Sequence, residues 1–580
     1  MLPRLLSPLA LLPLASALWP APREISSGNT TLFIDKSIKI TYGGKPLHYV
    51  PGYTPAAGPK CDDTEVIKGG VSRALGAIFD NNFVPWMLRP KGSTFEPDAS
   101  EEKHLVKTLK ISHSDKSNSG CYKPVADEVD ESYAFKLGED GHASIDAKTA
   151  IGVLRGLETF LQLFYEHTDG HHWYTTIAPV EIKDAPLFPY RGVLLDTARI
   201  FFSVKDIERT IDAISWNKMN RFHWHITDSQ SWPLDIPALP ELSAKGAYHP
   251  ALTYSPEDVA HIHEFAAHRG VEVIMEVDMP GHIGSVQFAF PELIVAYNEI
   301  PFHWWCSEPP CGAFKLNEPA VDEFLETMFD DLLPRLSPYT SYFHTGGDEL
   351  NRNDSMLDDG VGSNDTEVLR PLLQKFIDVN HDRVRKAGLV PVVWEELALE
   401  WDLDLGSDVI VQSWLGGKAI KTLTGKGHKV IVSDYNYYYL PCGRGQWMDY
   451  DNGEAFKKFY PFVDWCSPAK SWKLIYAYDP VAGLTEEEAS KVLGGEVAVW
   501  TERIDATNLD GLLWPRASAM GEILWSGRYD EVGRNRSQYE VTPRLADLRE
   551  RMLARGLAAE PVQMTFCTQG DDPLECARIV

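Results

Sequence analysis

Two carboxylates stand side by side at Asp348 and Glu349, directly after His344-Thr-Gly-Gly347. Held that close and partly shielded from water, two such groups cannot both ionise freely, so one keeps a proton into the mildly acidic range. A retained proton suits general acid catalysis, as in glycoside hydrolysis, where an acid protonates the leaving oxygen while a nucleophile or base acts at the anomeric carbon. The usual place of an Asp-Glu dipeptide is a solvated loop; the preceding glycines and apolar run argue for a built site instead. His223 and His225 offer a different chemistry. Two-residue spacing on a strand puts both rings on one side, and with Asp196, Asp278 and Asp348 they could serve a metal-dependent hydrolase.

Aromatic faces are the third ingredient. Among 17 tryptophans, Trp394, Trp414 and Trp500 end apolar runs and read as pocket walls for a sugar ring, whereas Trp304, Trp305 and Trp525 read as core. A sugar-binding protein without catalysis is a further class, but it would need a broken acid pair.

These residues need elements to hold them. Eight apolar, β-branched or aromatic runs read as strands: Tyr190–Thr197, Arg221–Thr227, Val271–Asp278, Ser341–Gly346, Val390–Glu395, Val409–Trp414, Val430–Tyr439 and Val497–Glu502. Helices alternate with them. One starts at Ser203 with Asp206 in the capping-box position; another starts at Ser255 with Pro256 and Asp258. This rhythm predicts an α/β fold, a (β/α)8 TIM barrel, with a doubly wound open sheet as the alternative. In a barrel, chemistry belongs at the carboxyl ends of the strands, and nearly every run ends in a charged or large aromatic residue. Ahead of the barrel, residues 18–183 mix short strands (Ser132–Leu137, His142–Asp146) with a helix carrying Ile151, Leu154, Leu157, Leu161 and Phe164 on one face. This is a smaller α+β N-terminal domain. The proline-bearing connector Asp184–Tyr190 marks the boundary, and 184–580 forms the barrel with a C-terminal tail.

Residues 1–17 combine Arg4, an apolar stretch and the small residues Ala15, Ser16 and Ala17, the layout of a secretory signal peptide. Sequons at Asn29, Asn353, Asn364 and Asn535 fit glycosylation on that route. Eight cysteines suit an oxidising compartment. Neighbours in sequence suggest Cys306–Cys311, Cys442–Cys466 and Cys567–Cys576, leaving Cys61–Cys121, although about 105 pairings are open. With 55 basic against 83 acidic residues, the net charge of −28 disfavours nucleic acid and anionic membranes as partners.

His344-Thr-Gly-Gly-Asp-Glu349 is similar to the active-site signature of family 20 glycoside hydrolases, the β-N-acetylhexosaminidases. Tyr190–Arg199, His223-Trp-His-Ile-Thr-Asp228, Asp278-Met-Pro-Gly-His282 and Asn508–Arg516 also resemble family motifs, and the chain looks most like secreted fungal members. The resemblance implies exo-hydrolysis of terminal N-acetylhexosamine from chitooligosaccharides or other glycans, by retaining, substrate-assisted catalysis, with neither cofactor nor metal. It implies that Glu349 is the acid and then the base, that Asp348 orients the acetamido group, and that Tyr439 donates to its oxygen. Trp394, Trp414 and Trp500 would wall the pocket, Arg199 and Glu502 would hold sugar hydroxyls, and Asp228 and His282 would support the acid. A homodimer is left open, as is GlcNAc against GalNAc preference. Two positions depart from the family pattern. Ile200 stands where a polar residue is usual, and Pro441 where many relatives carry an acid that reaches a sugar hydroxyl. Asp434, Asn436 or Arg444 could offset the latter.

Overall fold

The computed structural model describes residues 17–54, 62–100, 103–115, 129–449, 459–530, 532–570 and 576. The N-terminal part forms a sheet of β1 (Glu24–Ile34), β2 (Lys39–Tyr42), β3 (Lys45–Leu47), β4 (Thr108–His113), β5 (Tyr133–Leu137), β6 (His142–Ala147), β7 (Tyr165–Glu166) and β8 (Trp173–Asp184). Their order is β1-β8-β5-β6-β4-β2-β3, with β7 beside β8. Period-two alternation in β5, with Tyr133, Phe135 and Leu137 buried, turns one face toward α1 (Asp63–Phe79) and α2 (Ala150–Gln162). The helix expected from Ile151, Leu154 and Leu157 is α2, capped by Thr149 accepting from the Gly152 N–H.

After Asp184 come β9 (Tyr190–Asp196), β10 (Arg221–Thr227), β11 (Glu272–Val277), a small hairpin of β12 (Ile294–Val295) and β13 (Ala313–Phe314), then β14 (Tyr342–His344), β15 (Val390–Trp394), β16 (Ile410–Ser413), β17 (Lys429–Val432) and β18 (Val492–Val499). All but the hairpin close into one parallel barrel, β18 pairing β9, which overturns the open-sheet alternative. Closure buries both strand faces, and every residue of β10 is buried. Phe222 and Trp224 join the core beneath the helices, so the alternate residues His223 and His225 face the barrel interior. The helices α3 (Val204–Trp216), α4 (Glu241–Gly246), α5 (Pro256–Ala267), α6 (Pro319–Leu336), α7 (Thr366–Lys386) and α8 (Glu396–Leu399) follow in chain order. Both expected capping boxes are formed, Ser203 with Asp206 and Ser255 with Asp258.

Three expectations are corrected. The seventh strand stops at Val432, because Asp434 starts a turn in which its carbonyl accepts from the Tyr437 and Tyr438 N–H groups. Tyr439 therefore lies beyond the strand. The eighth strand begins at Val492, not Val497. Gly494, with φ +145° and no room for a Cβ beside the Tyr190 carbonyl, lets β18 approach β9, and the two glycines hide the strand from a propensity reading. Trp304 is not core: it is 57% exposed on the excursion between β12 and β13, whereas Trp525 is fully buried and Trp305 is half-buried against the core. Disulfides join Cys306–Cys311, Cys442–Cys466 and Cys567–Cys576; Cys61 and Cys121 lie outside the described residues.

Glu131 fastens the N-terminal sheet to the barrel. Its buried carboxylate accepts from Arg155 Nε at 2.8 Å, Arg191 Nη2 at 2.7 Å and Asn220 Nδ2 at 2.8 Å. Burial alone would raise its pKa, but Arg191 and Arg155 overrule that and lower it to about 2. A depressed acid contributes stability above the ordinary carboxylate range and loses it as pH falls toward the folded value. Glu131→Ala strands two buried guanidinium groups and should cost about 3–5 kcal/mol. The measurement is the half-life of thermal inactivation at neutral pH. It should fall steeply; a variant as long-lived as the parent would mean that this junction adds nothing.

Candidate active site

The loop after β14 is built around two glycines. Gly346 (φ +67°) leaves no space for a side chain, since a Cβ there would fall 1.7 Å from Asp278 Oδ1. Gly347 (φ +100°) packs against Leu397 in the same way. The Gly347 N–H donates to Asp278 Oδ1 at 2.8 Å, and the turn delivers Asp348 and Glu349 to the carboxyl end of the barrel. Glu349 itself holds φ +52°, an uncommon conformation for a residue with a side chain.

The charge of Glu349 acts on Asp348, as adjacency suggests, but burial and other neighbours act more strongly. Asp348 is set against Asp278, and burial, then the charge of Asp348, pushes Asp278 well above the carboxylate range. Burial also raises Asp348, but His282 and a hydrogen bond from Asp278 restrain it. Both are raised and Asp278 the further, which favours the proton on Asp278 and the charge on Asp348. Glu349 turns to His282, whose Nε2 lies 3.4 Å from Oε2. Burial opposes the charge on Glu349, yet the bond to His282 holds its pKa below the usual value. His282 is in turn 3.2 Å from Asp228 Oδ1. Burial disfavours the imidazolium, but Asp228 and Asp348 keep the His282 pKa well above the ordinary range.

Asp196, at the end of β9, accepts from the Ala198, Arg199 and Thr501 N–H groups at 2.9, 3.1 and 3.0 Å, joining the ends of β9 and β18. Arg199 then reaches Asp228 Oδ2 at 2.9 Å and lies over the Trp500 ring. Its Nε and Nη2 donate to Glu308 at 3.0 and 2.6 Å. Sequence reading missed Glu308; its place inside the short Cys306–Cys311 loop was the available signal. Glu502 is half-buried, and burial, then the Glu308 charge, pushes it up to about 8. Ile200 packs partly buried on the main core, its N–H donating to Thr501 at 3.2 Å.

Trp394, Tyr439, Trp414 and Trp500 gather in one cluster with Leu194 and Ala498. Trp394 forms its floor, 1% exposed, with the indole N–H on Glu276 at 2.7 Å. Tyr439 stacks on Trp414 at 6.0 Å and meets Trp500 edge-on. Two main-chain bonds to Ala498, from Leu440 at 3.1 Å and to Tyr438 at 2.9 Å, and the nearby Cys442–Cys466 bond hold its loop. Pro441 sits half-buried between that loop and the disulfide.

His223 and His225 belong to a buried charge network. His223 Nδ1 meets Glu496 at 2.9 Å and its Nε2 lies 3.0 Å from Glu276. His225 bonds Glu276 at 2.6 Å and Asp228 at 2.8 Å. Burial opposes the charge on His223, but Glu496 and Glu276 raise it to about 9. Both ring nitrogens of each histidine thus lie within 3.0 Å of a carboxylate. The pair is a strut between strands.

Residues 188–528 match glycosyl hydrolase family 20, catalytic domain. The chain belongs to this family. Residues 18–163 match the region described as beta-acetyl hexosaminidase like. The chain is 37% identical to a beta-hexosaminidase of Arthroderma benhamiae over 96% of this chain and 97% of that one. It is 34% identical to a chitooligosaccharidolytic beta-N-acetylglucosaminidase of Ostrinia furnacalis over 77% and 75%. The fold is shared with a family 20 exo beta-N-acetylglucosaminidase of Vibrio harveyi, solved with N-acetylglucosamine, at a TM-score of 0.72 and 21% identity over 95% of this chain and 79% of that one.

The protonation assigned to the Asp278–Asp348 pair has a direct test in this family 20 enzyme. Asp278→Asn keeps a neutral donor facing Asp348 and should retain glycoside hydrolysis within about tenfold, whereas Asp348→Asn should lose about 10² or more. A larger loss in kcat/KM for Asp278→Asn than for Asp348→Asn would place the negative charge on Asp278.

Proposed function

We propose that the chain is a secreted, exo-acting β-N-acetylhexosaminidase that works by retaining, substrate-assisted hydrolysis of terminal N-acetylhexosamine. The carrying observation is that two adjacent carboxylates meet an imidazole and a phenol: Asp348 lies with Asp278 and near Tyr439, while His282 Nε2 stands 3.4 Å from Glu349 Oε2 and 4.0 Å from Asp348 Oδ2. In this reading the substrate's acetamido oxygen is the nucleophile, already tethered to the reacting sugar. Asp348 accepts from the acetamido N–H and Tyr439 donates to its oxygen. The oxygen attacks the anomeric carbon, the glycosidic C–O bond breaks, and Glu349 delivers a proton to the departing oxygen. Glu349 then takes a proton from water, whose oxygen attacks the same carbon and opens the oxazolinium intermediate. Two inversions retain the β configuration.

Trp394, Trp414 and Trp500 enclose the acetamide and ring, and Arg199 and Glu502 hold the outer hydroxyls. Asp228 acts through His282 on the acid. The His282–Glu349 pair keeps a proton within 3.4 Å of the acid oxygen, and a Glu349 pKa held down by His282 calls for an acidic medium. Pro441 removes an acceptor at the hydroxyl end of the pocket, which shifts the choice between GlcNAc and GalNAc. Residues 18–183 are a non-catalytic domain and 184–580 the catalytic barrel with its tail. Residues 1–16 lie outside the described residues; 1–17 serve as the signal for secretion. Asn29, Asn364 and Asn535 are exposed for glycans and Asn353 half-buried. No helix among the described residues is long and apolar enough to cross a membrane.

Aryl β-N-acetylglucosaminide should be hydrolysed while the glucoside is essentially ignored, with faster turnover at acidic pH. Glu349→Gln should stay folded and lose about 10²–10⁴ in rate. Comparable turnover of both sugars would overturn the substrate-assisted mechanism, and a fully active Glu349→Gln enzyme would move the acid elsewhere.

A further inference from the structure

Two more glutamates follow Trp394, and they behave differently. Glu395 is used up by the end of β16: it accepts from the Ser413 hydroxyl at 2.7 Å, the Trp414 N–H at 2.9 Å and the Leu415 N–H. Glu396 opens α8 and is 6% exposed. Its Oε1 accepts from the Trp414 indole N–H at 2.8 Å, while its Oε2 is buried without a hydrogen-bond partner. The next residue, Leu397, fills the space that Gly347 leaves open, so α8 packs directly against the turn carrying Asp348. Glu396 and Asp348 both lie near enough to Tyr439 to act on its phenol.

We propose, on the basis of the substrate-assisted reading above, that Glu396 is a positioning residue of the reaction: one oxygen fixes the Trp414 indole and the other serves the acetamide side of the pocket beside Asp348 and Tyr439. A buried carboxyl oxygen without a partner is costly to maintain for packing alone. Trp414 stacks on Tyr439, so a loosened indole also loosens the hydroxyl meant for the acetamido oxygen. The groups facing Glu396 are the Asp348 carboxylate, Glu395 on its own element, the Tyr439 hydroxyl and the Trp414 indole, and none is a cation. Burial, followed by the charges of Asp348 and Glu395, raises the Glu396 pKa well above the carboxylate range. It therefore acts as a neutral acid. A second negative charge here would compete with Asp348 for the acetamido N–H.

The test compares Glu396→Gln and Glu396→Ala in the full chain. Hydrolysis of aryl N-acetylglucosaminide is measured together with calorimetric binding of a thiazoline mimic of the intermediate. Gln keeps a carbonyl for the indole and a neutral N–H donor in place of the acid O–H, so it should stay within about threefold of the parent in both readouts. Ala should lose about ten- to a hundredfold in kcat/KM and bind the mimic correspondingly more weakly, the cost of a buried hydrogen bond to a group that must stay ordered. A Gln variant that loses tenfold or more overturns the neutral role, even where Ala does not fold. An Ala variant that is folded and unimpaired overturns the positioning role. A parent that hydrolyses the substrate but binds no mimic faults the substrate-assisted reading itself, and this proposal with it.

Discussion

A buried negative charge is tolerated only with partners around it, and Glu276 is where this barrel meets that constraint. Its carboxylate contacts His225, His223 and His344 at 2.6, 3.0 and 3.1 Å and accepts from the Trp394 indole. One side chain thus ties β10, β11, β14 and β15 at the level where the pocket begins. Strand periodicity extends the arrangement: Arg221, His223 and His225 share the inner face of β10, opposite Glu272 and Glu276 of β11. From there His225 passes to Asp228, Asp228 to His282, and His282 to Glu349. Glu349 at the mouth is the last member of a chain of alternating acidic and basic side chains rooted in the barrel core.

Rigid positioning of this kind moves backbone strain to the site. Glu349 and His282 both take positive φ values, 52° each, and Gly346 and Gly347 accept contacts that no side chain could. The surrounding walls are held from outside the strands. The Cys442–Cys466 bond secures the Tyr439 loop, and the Cys306–Cys311 loop brings Glu308 onto Arg199. Long loops on a fixed barrel are where a fold of this type varies its chemistry.

Much of this was legible in the residues. Period-two runs and capping boxes disclosed the alternation of strand and helix, and strand-end carboxylates and tryptophans marked the end of the barrel where these side chains gather. Closure was not legible, because periodicity is the same in an open sheet. The position of Tyr439 was misread because its aromatic run looks like a strand, whereas the Asp434 turn decides it. The further partners of each acid were also hidden: adjacency showed that Asp348 and Glu349 act on each other, but only the tertiary fold sets Asp278 and His282 against them. Glu308 and Glu396 carry no motif, and only distance reveals them. His223-x-His225 illustrates the reverse case, a metal-like spacing whose nitrogens face carboxylates of the barrel core.

The central claim is that this site uses the substrate's own acetamido oxygen as nucleophile. The most direct measurement is kcat/KM for aryl glycosides whose N-acetyl group carries none, one, two or three fluorines. Fluorine withdraws electron density from the carbonyl and weakens its oxygen as a nucleophile, with little change in shape. The account predicts a steep, monotonic fall along the series in the parent enzyme. A flat dependence would contradict it and assign the attack to a protein group or to water.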